Sequence, residues 1–247
     1  MPDQLRPVAL VTGGARRIGA EIVKRLHGAG FNVVLHYRHS ADTAHALASS
    51  LNQARANSIK LVSADLASLT ALRELAGQTK QAWGRLDALI NNASTFYPTP
   101  LSSASEDEWD DLMSSNLKAP FFLAQALADE LKKTRGCIIN LVDIHAERPL
   151  KDHPIYCAAK AGNQMLVKSL ARELAPEVRV NGIAPGAILW PEQESDTAAQ
   201  KNILAKVPLQ ITGSPADIAR TVLFLVKEAP YITGQIIAVD GGRSIYA

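Results

Sequence analysis

The chain has 247 residues, 47% hydrophobic and 20% charged, a balance that excludes a disordered polymer and supports a folded protein with a sizeable core. Its 26 basic and 24 acidic residues leave a formal charge of +2, too even for the basic stripe of a nucleic-acid binder. The two cysteines, Cys137 and Cys157, have no metal-ligand spacing, and no apolar run reaches the roughly 18 to 20 residues that span a bilayer. Met1 to Pro7 lacks the apolar core of a secretory leader, so the expectation is a cytoplasmic protein with no metal and no membrane or nucleic-acid partner.

In chain order, short apolar or β-branched runs alternate with longer segments of helical period, the pattern of βαβ units on a parallel sheet. Strands are predicted over residues 8–12, 32–36, 59–64, 88–91, 137–142, 179–183 and 235–239, each apolar enough to be covered on both faces. Helices are predicted over residues 19–29, 43–54, 69–83, 106–131, 154–175 and 216–226, with Ser105 and Ser214-Pro215 as start signals. No linker, charge block or repeat divides the chain, which reads as one α/β domain over 1–247. The least regular stretch, 185–206, holds Trp190-Pro191 followed by Glu192, Glu194 and Asp196. An excursion after a strand is either a substrate-binding lid, here 187–207, or a variable surface loop. Trp190 within it either covers a substrate or anchors the loop.

The first strand ends in Thr12-Gly13-Gly14-Ala15-Arg16-Arg17-Ile18-Gly19 and passes directly into a helix. Glycines let the backbone approach a pyrophosphate, and the unpaired N–H groups and dipole of the helix start favour its charge. In a first βα turn this is the context of a dinucleotide site. A carboxylate at the end of the second strand would hold the ribose hydroxyls of NAD and repel a 2′-phosphate. The residues there are His36-Tyr37-Arg38-His39-Ser40. Arg38 offers a guanidinium fork and Ser40 a hydroxyl, so the expected cofactor is NADPH/NADP+. Arg16 or Arg17 supplies a second cation or belongs to a solvated turn.

Further on, Tyr156-Cys157-Ala158-Ala159-Lys160 sets a phenol and an ammonium one helical turn apart on one face. A tyrosine is a poor proton carrier at neutral pH unless a neighbouring cation favours its phenolate, the role expected of Lys160. The pair is joined by Asn91-Asn92-Ala93 after the fourth strand, Asn116 in the next helix, and Val180-Asn181-Gly182-Ile183-Ala184-Pro185-Gly186 at the sixth.

With these motifs in this order from Val8 to Gly242, and a TGxxxxxG glycine turn, the chain resembles the short-chain dehydrogenases/reductases. The resemblance implies a Rossmann-type, doubly wound, seven-stranded parallel sheet of order 3-2-1-4-5-6-7. It implies Tyr156 as proton donor, Lys160 also bonding nicotinamide-ribose hydroxyls, and Asn116 holding a relay water. Asp65 and Leu66 would flank the adenine, Gly13, Ile18, Gly19, Asn92 and Ala93 would lie by the cofactor, and Pro185, Gly186 and Ile188 would follow. A homotetramer is the family's habit, with interfaces at the Tyr156 helix and at 234–247.

One position departs from that pattern. Thirteen residues before the tyrosine, where most of the family has serine or threonine, stands Asp143. An ionised carboxylate cannot donate to a carbonyl, but it accepts from N–H groups and helps move a proton to a ring nitrogen. Together with Asn91 to Leu101, His36-Tyr37 and the basic glycine turn, this resembles the pteridine reductases. That likeness implies a pterin or folate substrate stacked on Phe96, touched by Ser94 and Arg17, and protonated through Tyr156 and Asp143. The rival readings are a carbonyl or alcohol enzyme on the same fold and a catalytically silent NADPH-binding sensor or scaffold.

Overall fold

A computed structural model describes residues 6–188 and 197–245. In chain order the elements are β1 (Val8–Val11), α1 (Arg17–Gly28), β2 (Asn32–Tyr37), α2 (Ala41–Ala54), β3 (Ile59–Ser63), α3 (Leu69–Trp83), β4 (Ala88–Asn91) and α4 (Glu106–Met113). A π-helical turn, Ser114–Lys118, leads into α5 (Ala119–Thr134), followed by β5 (Cys137–Leu141), α6 (Pro154–Glu173), β6 (Arg179–Pro185), α7 (Thr197–Leu204), α8 (Pro215–Lys227) and β7 (Ile236–Val239).

All seven strands pair in parallel in the order β3-β2-β1-β4-β5-β6-β7. The alternation of strand side chains builds two cores. Ala9 and Val11 face the layer of Ile22 and Leu26 from α1 and Ile218 and Val222 from α8. Val8 and Leu10 face the layer of Leu72 and Leu75 from α3 and Leu123 and Leu127 from α5. Each of these buried valine, leucine and isoleucine side chains contributes about 1.5–3 kcal/mol. Strand order reverses between β1 and β4, which opens a crevice at their C-terminal ends, where the predicted site residues converge.

Every predicted strand and helix is present, most with ends moved by one or two residues. Two differences are larger. The helix expected over 106–131 is interrupted by the π turn and runs on to Thr134, because Pro120 in the first turn of α5 has no N–H to continue the α-helical ladder. The stretch expected to be irregular over 185–206 contains α7, whose sequence Thr-Ala-Ala-Gln-Lys-Asn-Ile-Leu is largely made of good helix formers masked by the Pro/Trp-containing run before it. Trp190 and the acids Glu192, Glu194 and Asp196 lie outside the described residues. Both predicted helix starts hold: Ser105 with Glu108, and Ser214 with Asp217, form capping boxes.

Candidate active site

The glycine turn is pinned from three sides. Thr12 Oγ1 accepts from the Asn92 and Ala93 N–H groups at 2.9 and 3.0 Å. The Asn92 side-chain amide donates to the carbonyls of Thr12 and Gly13 at 2.9 and 3.1 Å. The Gly13 N–H donates to His36 Nδ1 at 3.1 Å, which leaves the ring proton on Nε2 to meet the Ala64 carbonyl at 3.1 Å. Burial lowers the His36 pKa, against the Ala64 carbonyl and the Asp65 charge, which raise it. One ring nitrogen holds the glycine turn and the other the residue after β3, so His36 lines the cleft as a structural support.

Gly13 has φ +60°, and a Cβ on Gly19 would stand 2.1 Å from the Gly13 carbonyl oxygen. Bare backbone is obligatory here, as a cradle for a pyrophosphate requires. Arg17 takes φ +50° at the first position of α1, a conformation that costs a side-chain-bearing residue about 1–2 kcal/mol. No acidic residue stands in the first turn of α1, so its end is open to an anion.

Beyond the turn lies a cleft of about 350 Å³ lined by Gly13, Arg16, Arg17, Ile18, Gly19, His36, Arg38, Asp65, Leu66, Asn92, Ala93 and Ser94. Arg38 sits between two carboxylates, with Nη1 3.7 Å from Asp65 and 3.9 Å from Asp111. Tyr37, His39 and Ser40, expected here, do not line it. Tyr37 packs edge-on to His45, His39 accepts from Arg38 Nε at 2.7 Å, and Ser40 sits at the start of α2. The shape and donors of this cleft fit a dinucleotide.

A second cavity of about 280 Å³ shares Arg17, Ile18, Asn92 and Ser94 with the first and adds Phe96, Asp143, Tyr156, Lys160, Pro185, Gly186 and Ile188. The Tyr156 hydroxyl donates to Asp143 Oδ2 at 2.7 Å, while Asp143 Oδ1 accepts the His145 N–H at 2.8 Å. Lys160 is 2% exposed, donates from Nζ to the Leu141 carbonyl at 2.9 Å, and lies 5.6 Å from the centre of the Tyr156 ring. Burial brings its pKa down to about 8, with Asp143 acting upward.

Lys160 was expected to favour a Tyr156 phenolate, whereas the net shift of the phenol is set by burial and by Asp143. Burial, and then the charge and hydrogen bond of Asp143, push the phenol well above its ordinary 10.0, so the group keeps its proton.

Asn116 is buried in the π turn behind the cavity wall, where its Oδ1 accepts from the Ser94 hydroxyl at 2.6 Å. Phe96 is 52% exposed, meets Tyr156 edge to face, and stacks on His153 with ring centres 4.8 Å apart and planes 14° from parallel. His153 was not foreseen as a site residue, although it lies only three positions before Tyr156. Nor were Thr95, Asp111 and Ser115, which line the cofactor cleft; Thr95 lies in the quoted run, whereas Asp111 and Ser115 had no local signal.

Among the described residues no three metal-binding side chains cluster, and no helix is long and apolar enough to cross a membrane. The family model described as enoyl-(acyl carrier protein) reductase matches residues 13–244. A pteridine reductase 1 from Leishmania tarentolae is 38% identical, covering 97% of this chain and 96% of its own. The 3-oxoacyl-(acyl carrier protein) reductase of Staphylococcus epidermidis is 36% identical, covering 95% and 97%, and that of Staphylococcus aureus is 35% identical, covering 95% and 96%. With these motifs, this strand order and these matches over nearly its full length, the chain belongs to the short-chain dehydrogenase/reductase family of oxidoreductases.

Proposed function

We propose that the protein is an NADPH-dependent pterin reductase that takes a dihydropterin to its tetrahydro form, with oxidised pterin and dihydrofolate as further substrates. The observation that carries this reading is the Asp143–Tyr156 hydrogen bond of 2.7 Å. It puts a carboxylate where a carbonyl reductase needs a hydroxyl donor, and a carboxylate suits the N–H edge of a heterocycle.

NADPH, when bound, supplies the hydride for the ring carbon of a C=N bond. The chain's part is to orient, to exclude water and to deliver a proton to the adjacent nitrogen. Tyr156 holds that proton at its hydroxyl oxygen. Asp143 takes hydrogen bonds from substrate N–H groups and passes a proton inward, directly or through water. The buried Lys160 ammonium ties α6 to the Leu141 carbonyl of β5 and is proposed to bond the nicotinamide-ribose hydroxyls when the cofactor is bound. Phe96, exposed at the mouth, offers its ring to a flat substrate, and Ser94 and Arg17 border both cavities. Gly13, Arg16, Ile18, Gly19, Arg38, Asp65, Leu66, Asn92, Ala93, Pro185, Gly186 and Ile188 are proposed to hold the cofactor, with Arg38 on its 2′-phosphate. The part of 187–207 that follows Ile188 is proposed as the lid.

We further place the protein in the cytoplasm as a homotetramer. Exposed Met165 on α6 and Ile245 near the C-terminus support the two interface regions named above.

A second reading, reduction of a 3-oxoacyl thioester, is favoured by the staphylococcal relatives at nearly the same identity. NADPH oxidation with a dihydropterin, dihydrofolate and a 3-oxoacyl thioester decides between them. Pterin turnover blocked by a folate antagonist supports the first reading, thioester turnover alone replaces it with the second, and cofactor binding without turnover leaves a sensor.

A further inference from the structure

Behind the catalytic face runs a line of buried asparagines that the mechanism above does not use. Asn91 at the end of β4 donates from Nδ2 to Asn140 Oδ1 at 2.8 Å. Asn140 in β5 donates to Asn163 Oδ1 at 2.7 Å, and Asn163 in α6 donates to the backbone carbonyl of Asn116 at 2.8 Å. None of these side chains is more than 4% exposed. The last link fixes every amide in the line, because a carbonyl only accepts: Asn163 must present its NH₂ there, Asn140 its NH₂ to Asn163, and Asn91 its NH₂ to Asn140. The price of that polarity falls at the far end, where Asn91 Oδ1 has no donor among the described residues.

The Asn116 carbonyl needs this donor for a reason written in the sequence. Its α-helical partner would be the N–H four residues on, and residue 120 is proline. Without that N–H the α-helical bond to this buried carbonyl is missing, and another donor has to take its place. Asn163, three residues after Lys160 and so on the same face of α6, replaces it. From the other side of the π turn, the Asn116 amide donates to the carbonyls of Leu112 and Thr95 at 2.9 and 3.0 Å, which leaves Oδ1 aimed at Ser94.

We propose that Asn163 is a positioning residue for the reaction: it supplies the hydrogen bond that Pro120 withholds, holds the π turn in place, and thereby fixes the Asn116 side chain that orients the Ser94 hydroxyl at the substrate end of the cleft. Asn140 and Asn91 set the direction in which Asn163 presents its amide. The inference rests on Ser94 and Tyr156 forming the reacting end of the site, and not on which substrate enters it.

The test uses Asn163→Leu and Asn163→Asp, each alone and combined with Ser94→Ala, assayed with NADPH and whichever of the three substrates above the wild type reduces. Melting curves accompany each variant, and the crystal structure of Asn163→Leu is determined. Leucine keeps the bulk and removes both bonds; aspartate is isosteric and donates to the carbonyl only when protonated. For Asn163→Leu the expected kcat is lower by about tenfold or more, with the KM for NADPH within about threefold. Its loss is largely absent when Ser94 is already alanine, as coupling through that hydroxyl requires. Asn163→Asp is expected to keep near wild-type kcat at acid pH and to lose it reversibly as pH rises while the protein stays folded, since a buried carboxyl titrates high. That variant also answers the question if the leucine variant does not fold. In the crystal, Ser94 and Asn116 Oδ1 move out of hydrogen-bond reach. Wild-type kcat in both variants, losses that multiply with that of Ser94→Ala, or an unchanged Ser94–Asn116 contact would overturn the proposal. A wild type that reduces none of the three defeats the reading of function instead, and the Ser94–Asn116 contact in the crystal structure then decides on Asn163.

Discussion

Tyr156 gives its hydroxyl proton to Asp143 Oδ2 at 2.7 Å, and both groups line the cavity that also holds Lys160. A phenol and a carboxylate thirteen residues apart in sequence thus share one proton position, and the carboxylate, after burial, is what holds the phenol protonated.

Replacing Asp143 by serine removes that charge, and the Tyr156 pKa falls toward its ordinary value. Pterin turnover is expected to drop by about 10²-fold or more, equivalent to about 2.7 kcal/mol of lost transition-state stabilisation, the scale of one proton-transfer group. Reduction of a 3-oxoacyl thioester is expected to rise in the same variant, because serine can donate to a carbonyl. Steady-state kinetics of both reactions check it. Unchanged pterin turnover would remove Asp143 from the mechanism.

Lys160, with a pKa of about 8, predicts an alkaline limb near that pH as the ammonium is lost. Asp143 acts upward on this pKa, so Asp143→Asn is expected to move the limb to lower pH. The stability effect has the opposite sense. Between about 8 in the folded protein and 10.5 in the unfolded chain, the unfolded state binds more protons, so this group's contribution to stability rises with pH across that window. Urea unfolding at several pH values, for wild type against Lys160→Met, should show that rise in the wild type alone.

Arg38 stands between Asp65 and Asp111 at the open end of the cofactor cleft. If Arg38 holds the 2′-phosphate as proposed, Arg38→Ala is expected to weaken NADPH binding by about tenfold or more, about 1.4 kcal/mol per factor of ten, and to leave NADH within about twofold. Fluorescence titration with the two cofactors measures the ratio. Equal losses for both would place the phosphate on Arg16 or Arg17.

At Gly19 an added Cβ would meet the Gly13 carbonyl at 2.1 Å and the Asn92 amide at 2.6 Å. Gly19→Ala must therefore push the turn off the Asn92 pin, at about 1–3 kcal/mol of stability. The cost to NADPH affinity is expected to be larger than the cost to the melting temperature, because the same backbone forms the cradle. A variant that melts early yet binds NADPH normally would show that the turn relaxes without serving the cofactor.

Much of this molecule was legible in its residues. Apolar runs of strand length between helical periods gave every strand and all helices but one, because both periodicities are local. The glycine turn and the Tyr156–Lys160 pair were legible for the same reason: each is a short-range relation within one turn or one helix. Tertiary structure decided what depends on distant partners and on burial. The asparagine line joins positions 49, 23 and 47 residues apart, and the resulting hold on Asn116 cannot be seen in any one segment. Pro120 lies inside the single helix expected over 106–131, and the π turn that interrupts it packs against α6. Asp111 of α4 reached Arg38, and His153 settled on Phe96, only once segments from separate βα units met at the sheet's C-terminal edge. The sign of the Tyr156 shift was likewise a property of the fold. Sequence spacing set a cation one turn away, whereas burial and Asp143 set the balance of charge around the phenol.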